Sequence, residues 1–225
     1  MTIYFHETLD PVRQPGAHTR FLRELGEIVN TEGNAKGSVG SECVALWAPV
    51  FVTGTWPQII GFWEMPTGWA GFADHFDNNP SLFHEPLDRW YGERSGGFDR
   101  ILVPTDYTRT LSELKESGVR APVVLQQTIT LSPGGAEEYL ELFRDASKAI
   151  SDTEIFTPFG AYEVAFRNGT EVMLHWAFPD VATVAAAESN SAQHPELRSW
   201  IEKSRSLEVN HTGIVLRPTW WSPLC

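Results

Sequence analysis

Three ionisable residues stand out on stretches that alternate like β-strands: His6 in Ile3–Leu9, Glu64 in Ile59–Met65 and His175 in Val172–Phe178. Histidine is the side chain that changes charge nearest neutral pH, and a carboxylate beside it can orient it or share its proton. Placed in an apolar cavity, such a set is suited to moving protons on an enolisable substrate. Tyr4, Trp47 and Phe62 supply aromatic walls for such a substrate, with Gln126 and Glu163 as further polar contacts. Two histidines and one carboxylate are also the composition of a non-haem iron facial triad. No His-x-x-x-His spacing supports a metal, and no metal ligand is assigned. A Gly-x-Ser-x-Gly nucleophile elbow is absent, which excludes an α/β-hydrolase. Gly33-Asn34-Ala35-Lys36-Gly37-Ser38 lacks the Gly-Lys-Ser/Thr ending of a phosphate loop and reads as a connecting loop.

The elements that must position these residues are written twice. Pro15-Gly16 before Phe21-Leu22 recurs as Pro133-Gly134 before Tyr139-Leu140. Trp63-Glu64-Met65-Pro66 recurs as Trp176-Ala177-Phe178-Pro179, Leu87 to Trp90 as Leu197 to Trp200, and Ile101 to Thr105 as Val215 to Thr219. A repeat seen twice is a duplicated domain, not a solenoid. Each copy begins with a β run, Ile3–Leu9 or Val123–Leu131. An amphipathic helix follows; in the first copy Phe21, Leu22, Leu25, Ile28 and Val29 make one stripe. Two β runs come next, Cys43–Val52 with Ile59–Met65 and Tyr162–Phe166 with Val172–Phe178, the latter joined at the hairpin signal Asn168-Gly169. A helical region broken by Pro80 and Pro86, or by Pro195, ends near Arg94 or Arg205. A last β run, Phe98–Val103 or Thr212–Leu216, closes each copy.

The order βαββαβ predicts an α+β protein: two tandem ferredoxin-like units, residues 1–105 and 122–225, with 106–121 as linker. A four-stranded sheet with helices on one face needs its other face covered. Two antiparallel sheets facing each other in a barrel meet that need. Strand alternation then sorts the side chains. Tyr4, His6, Thr8, Ile60, Phe62 and Glu64 face the barrel in the first copy. Val124, Gln126, Thr128, Met173, His175 and Ala177 do so in the second. Trp63 and Trp176 fall on the helix side as core residues. At equivalent barrel positions His6 stands against Gln126, Phe62 against His175 and Glu64 against Ala177, so the two halves have diverged toward one specialised pocket. The plain alternative is that a lone strand histidine is structural and that Glu64 sits at a strand end in water. His75, His84, His194 and the acidic face Glu137, Glu138, Glu141, Asp145 read as surface or helix punctuation.

An apolar Trp-bearing strand ending in Pro-Asp, His175-Trp176-Ala177-Phe178-Pro179-Asp180, and the ending Leu216-Arg217-Pro218-Thr219-Trp220-Trp221-Ser222-Pro223 resemble the NIPSNAP family of the dimeric α+β barrel superfamily. Gln127-Thr128-Ile129-Thr130-Leu131-Ser132-Pro133-Gly134 resembles the family's first strand and turn. The family has Arg and Tyr where this chain has Gln127 and Ile129, and Glu7 is the first-copy counterpart of Gln127. The superfamily resemblance implies a range of activities: cofactor-free monooxygenases, cyclases, isomerases, dehydratases, haem peroxidases and binding proteins. Fold alone does not choose among them. It also makes His175 the first haem-ligand candidate should haem or non-haem iron be bound. The expectation is no cofactor.

Composition sets the outer bounds. The 225 residues carry a net charge of −12, which repels phosphate backbones and anionic lipid heads. No nucleic-acid or membrane partner is expected. The partner is a hydrophobic small molecule, and a homo-oligomer is compatible with the pattern. With no signal-type start and two cysteines of unsuited placement, Cys43 and Cys225, the expected location is the cytoplasm. The sequence therefore points to an enzyme acting on an aromatic or polycyclic substrate by cyclisation, isomerisation or oxygenation. A non-catalytic ligand-binding or scaffold protein is the alternative.

Overall fold

The computed structural model describes residues 1–31, 40–78, 92–151, 156–190 and 195–225. The Gly33–Ser38 loop, the breaks at Pro80 and Pro86, His84, Trp90 and His194 lie outside the described residues. The chain divides into two compact units. One is Met1–Ile101 with Pro218–Pro223 and Cys225; the other is Leu102–Arg217 with Leu224.

The first unit contains β1 (Ile3–Pro11), α1 (Ala17–Thr31), β2 (Glu42–Pro49), β3 (Ile59–Met65), α2 (Gly68–Asn78) and most of β4 (Arg94–Pro104). Strand β3 is central, antiparallel to β1 on one side and β2 on the other. The α1 stripe Phe21, Leu22 and Leu25 packs on Leu9, Cys43, Leu46, Ile59 and Trp63. Period-3.6 and period-2 patterns thus meet in one core, which is why these segments take these forms.

The end of the chain completes this unit. The Thr219 N–H donates to the Leu46 carbonyl at 2.8 Å. The Ser222 hydroxyl donates to the same carbonyl and accepts from the Leu46 N–H, each at 2.9 Å. Trp221 lies against α1 at Gly26, where an added Cβ would stand 2.6 Å from the indole nitrogen. The Pro-Thr-Trp-Trp-Ser-Pro ending is therefore structural. It satisfies the backbone N–H and carbonyl of Leu46 in β2 and packs an indole on α1.

The second unit contains α3 (Leu111–Glu116), β5 (Val123–Leu131), α4 (Gly135–Ser151), β6 (Thr157–Val164), β7 (Glu171–Phe178), α5 (Val181–Asn190), α6 (Pro195–Ser204) and β8 (Glu208–Pro218). Strand β5 pairs antiparallel with both β7 and β8, and β7 also pairs with β6. Leu102–Pro104 of β4 pairs with Tyr162–Val164 of β6. Tyr139 and Phe143 of α4 pack on Trp176 and Trp200, with Phe143 edge-on to both rings at 5.1 and 5.3 Å. Glu137 and Glu138 in the first turn and Lys148 in the last suit the helix dipole of α4.

The βαββαβ order is present in each unit, with three local differences from the sequence reading. Segment 106–121 is not a bare linker. It holds α3, started by a capping box in which the Thr110 side chain accepts from the Glu113 N–H and the Glu113 carboxylate accepts from the Thr110 N–H. The last strands begin earlier than expected, at Arg94 and Glu208. Strand β6 runs over Thr157–Val164, not Tyr162–Phe166, and a register shift between Pro158 and Gly160 lets a Pro- and Gly-bearing segment pair with β7. Phe166 and Asn168 take positive φ in the turn that follows.

Candidate functional site

In the first unit, the β1–β3 register places Tyr4 opposite Glu64 and His6 opposite Phe62. Directly opposed residues project to the same face, here the face away from α1. The Tyr4 hydroxyl donates to Glu64 Oε2 at 2.7 Å. Both side chains are buried, at 2% and 5% exposure. The Phe62 ring stacks on Tyr4 at 5.2 Å and on Trp47 at 5.4 Å, making a three-ring column from β1, β3 and β2. His6 is buried on the same face, two residues along β1 from Tyr4. The first unit thus gathers His6, Glu64, Tyr4, Phe62 and Trp47.

In the second unit His175 and Gln126 stand opposite each other in the β5–β7 ladder. His175 Nε2 and Gln126 Oε1 share a hydrogen bond of 3.2 Å. Phe159 stacks on the imidazole at 5.5 Å and Tyr162 meets it edge-on at 5.5 Å. The positions equivalent to Tyr4 and Glu64 are Val124 and Ala177, which face each other and carry no polar group. Glu163 is not beside His175. The register shift in β6 sets it opposite Val172, on the helix-packed side, and it is only partly buried.

Sequence reasoning passed over a second polar group in the first unit. On the helix side of the sheet, the Trp63 indole N–H donates to Glu7 Oε2 at 2.7 Å. Trp176 makes the same bond to Gln127 Oε1, also at 2.7 Å. The neutral amide of the second unit is replaced in the first by a carboxyl. Asp99, the counterpart of Gly213 in the last strand of the repeat, adds its charge and is ion-paired to Arg94 at 3.7 Å. Burial first, and the Asp99 charge second, push the Glu7 pKa up to about 7 against the pull of the Trp63 N–H and Arg94. Gly61 makes room for the pair: a Cβ there would lie 2.7 Å from Glu7 Oε2 and 2.8 Å from the Trp63 nitrogen.

Two clefts, each of about 370 Å³, open in the second unit. One lies between α4 and α6 and is lined by Leu142, Trp200 and Lys203. The other lies at the start of β6 and is lined by Tyr107, Arg109, Phe143 and Phe159. Neither is lined by His6, Glu64 or His175. Among the described residues no group of three or more His, Cys, Asp or Glu side chains converges as a metal site. No helix of the described residues is long and apolar enough to cross a membrane.

Residues 127–223 match the NIPSNAP family model. No curated protein matches the chain. Among solved structures, an anthrone oxidase-like protein is 10% identical, with 97% of this chain and 91% of that chain covered at a TM-score of 0.66. A candidate monooxygenase from Lactobacillus acidophilus NCFM is 10% identical, with 96% and 92% covered at a TM-score of 0.65. A NIPSNAP family protein from Agrobacterium tumefaciens C58 is 21% identical over 47% of this chain and 93% of that one, at a TM-score of 0.42. The first two likenesses span nearly the whole chain and show that its mixed α+β fold is shared with theirs.

Proposed function

We propose that the chain is a small-molecule enzyme of the oxygenase or isomerase type, with its reacting groups on the first unit. The observation that carries the reading is the buried Tyr4–Glu64 hydrogen bond of 2.7 Å, on the same face as His6. A strand pair built only to pack has no use for a phenol and a carboxyl, and the second unit fills the same two positions with Val124 and Ala177. As the Tyr4 oxygen takes a proton from a carbon acid, it passes its own hydroxyl proton to the ionised Glu64 carboxylate that already accepts it. His6 is the second acid–base group of that face, and Phe62 and Trp47 offer flat apolar surface to an aromatic or polycyclic ligand. No cofactor enters this chemistry. His175, bonded to Gln126 in the second unit, is the first group to test outside that set.

The anthrone oxidase-like neighbour suggests the probe, since anthrone is an enolisable tricyclic ketone. Exchange of its methylene protons into heavy water, followed by NMR, reads proton abstraction without assuming the rest of the reaction. Wild-type protein should accelerate exchange, and Glu64→Gln, Tyr4→Phe and His6→Ala should each lower the rate at least ~100-fold. Unchanged rates in all three, or a loss confined to His175→Ala, would remove the first unit from the reaction. A second reading, non-catalytic ligand binding, is favoured by the near-complete burial of these residues and by the location of both clefts in the second unit. It predicts tight binding with no exchange at all.

A further inference from the structure

We infer that the cleft beside Arg109 in the second unit is a binding site for an organic monoanion, a carboxylate carried on an aromatic or branched apolar body. This site is independent of the first-unit reading. Its volume, about 370 Å³, falls in the range of small-molecule sites. Its walls are mostly apolar: Tyr107, Val119, Phe143, Pro158 and Phe159. Among the described residues its charged lining residues are Arg109 and Lys148, with no Asp or Glu. In a chain with 29 acidic and 17 basic residues, a cleft whose described charged lining is cationic runs against the composition.

The guanidinium of Arg109 is the centre of the argument. It makes two long hydrogen bonds to neutral groups, Nη1 to Ser117 Oγ at 3.4 Å and Nη2 to the Pro158 carbonyl at 3.5 Å. No carboxylate lies within ion-pair distance of it among the described residues. Two described acids near it in the chain are held elsewhere. Glu113, whose charge acts on Arg109 through space, accepts from Thr110 N and Oγ1 at 2.7 and 2.9 Å in the α3 capping box. Asp106 is bound to Arg144 at 2.7 Å. A partly buried guanidinium without a counter-ion carries an unrecovered desolvation cost, and burial lowers its proton affinity accordingly. A planar carboxylate matches the guanidinium fork and offsets that cost. The apolar walls then select what the carboxylate is attached to. Lys148, exposed in the last turn of α4, adds charge at the rim.

The test uses 2-naphthoate as the probe and 2-naphthamide as its uncharged counterpart, titrated into the full chain by calorimetry and by amide NMR. Naphthoate should bind saturably at millimolar ligand and shift the amides of Val119 and Thr157–Ala161. Naphthamide and the Arg109→Gln variant should each bind about tenfold more weakly. Lys148→Gln, at an exposed position that leaves the fold intact, should weaken naphthoate but not naphthamide. Equal affinity for the two probes, naphthoate binding unaffected in both variants, shifts confined to residues outside the cleft, or no saturation would each overturn the assignment.

Discussion

Replacing Glu7 by glutamine should stabilise the protein above neutral pH and leave it unchanged in mild acid. The substitution keeps the structure's own solution, because Gln127 already accepts a 2.7 Å bond from Trp176 at the equivalent place. What it removes is a carboxyl whose pKa is raised from 4.5 to about 7 by burial and by Asp99. Between those values the folded chain keeps a proton that the unfolded chain has released. Stability therefore falls as pH rises through that window and levels off above about 7. At about 1.4 kcal/mol per pKa unit the whole shift corresponds to ~3 kcal/mol. Because Glu7 is only partly buried, water screens some of it, and about 1–3 kcal/mol is the expected gain for Glu7→Gln at about pH 8. Urea unfolding of both proteins at about pH 5 and about pH 8 measures it. A Glu7→Gln protein no more stable than wild type at the higher pH, or a difference that does not change with pH, would refute the reasoning.

Other perturbations follow from the same contacts. Trp63→Phe should cost more than Trp176→Phe above neutral pH, by ~1 kcal/mol, since the first leaves a charged acceptor bare and the second a neutral one; matched denaturation curves give the difference. Gly61→Ala should lose about 1–3 kcal/mol by driving a methyl into the Glu7–Trp63 bond, whereas Gly92→Ala, with nothing within 4 Å, should fall within about 0.5 kcal/mol of wild type. Ser222→Ala should cost about 1–2 kcal/mol and speed hydrogen exchange at the Leu46 amide, which would lose its acceptor.

The order of elements was legible because each signal is local. The α1 stripe, the alternating strands and the Asn168-Gly169 turn depend on a few neighbouring residues, and duplication wrote each of them twice. The features that escaped depend on register or on distance in the chain. Pro158 and Gly160 look like loop residues until β7 is seen to pair across a shifted register, and that shift is what moves Glu163 to the helix side. The six residues of α3 are too few for periodicity to show, although Thr110 and Glu113 carried the capping pattern. Glu7 was visible as the counterpart of Gln127. Its meaning needed Asp99, and that pairing is set by a last strand beginning at Arg94, well before Phe98. The aromatic residues on the first unit's inner face were legible as a set. That Tyr4, Phe62 and Trp47 close on one another in a stacked column depends on rotamers, which no pattern of residue types records.

The seam between Leu46 and the segment Thr219–Ser222 sets a timetable for synthesis. A ribosome delivers residues in order, and domains ordinarily begin to fold as they emerge. Here the first unit leaves the ribosome with the Leu46 N–H and carbonyl unsealed and the groove at Gly26 empty, and the residues that finish it are made only after the second unit's strands. The nascent first half must wait through translation of more than a hundred further residues, water-bound at that edge, before its final stitch arrives.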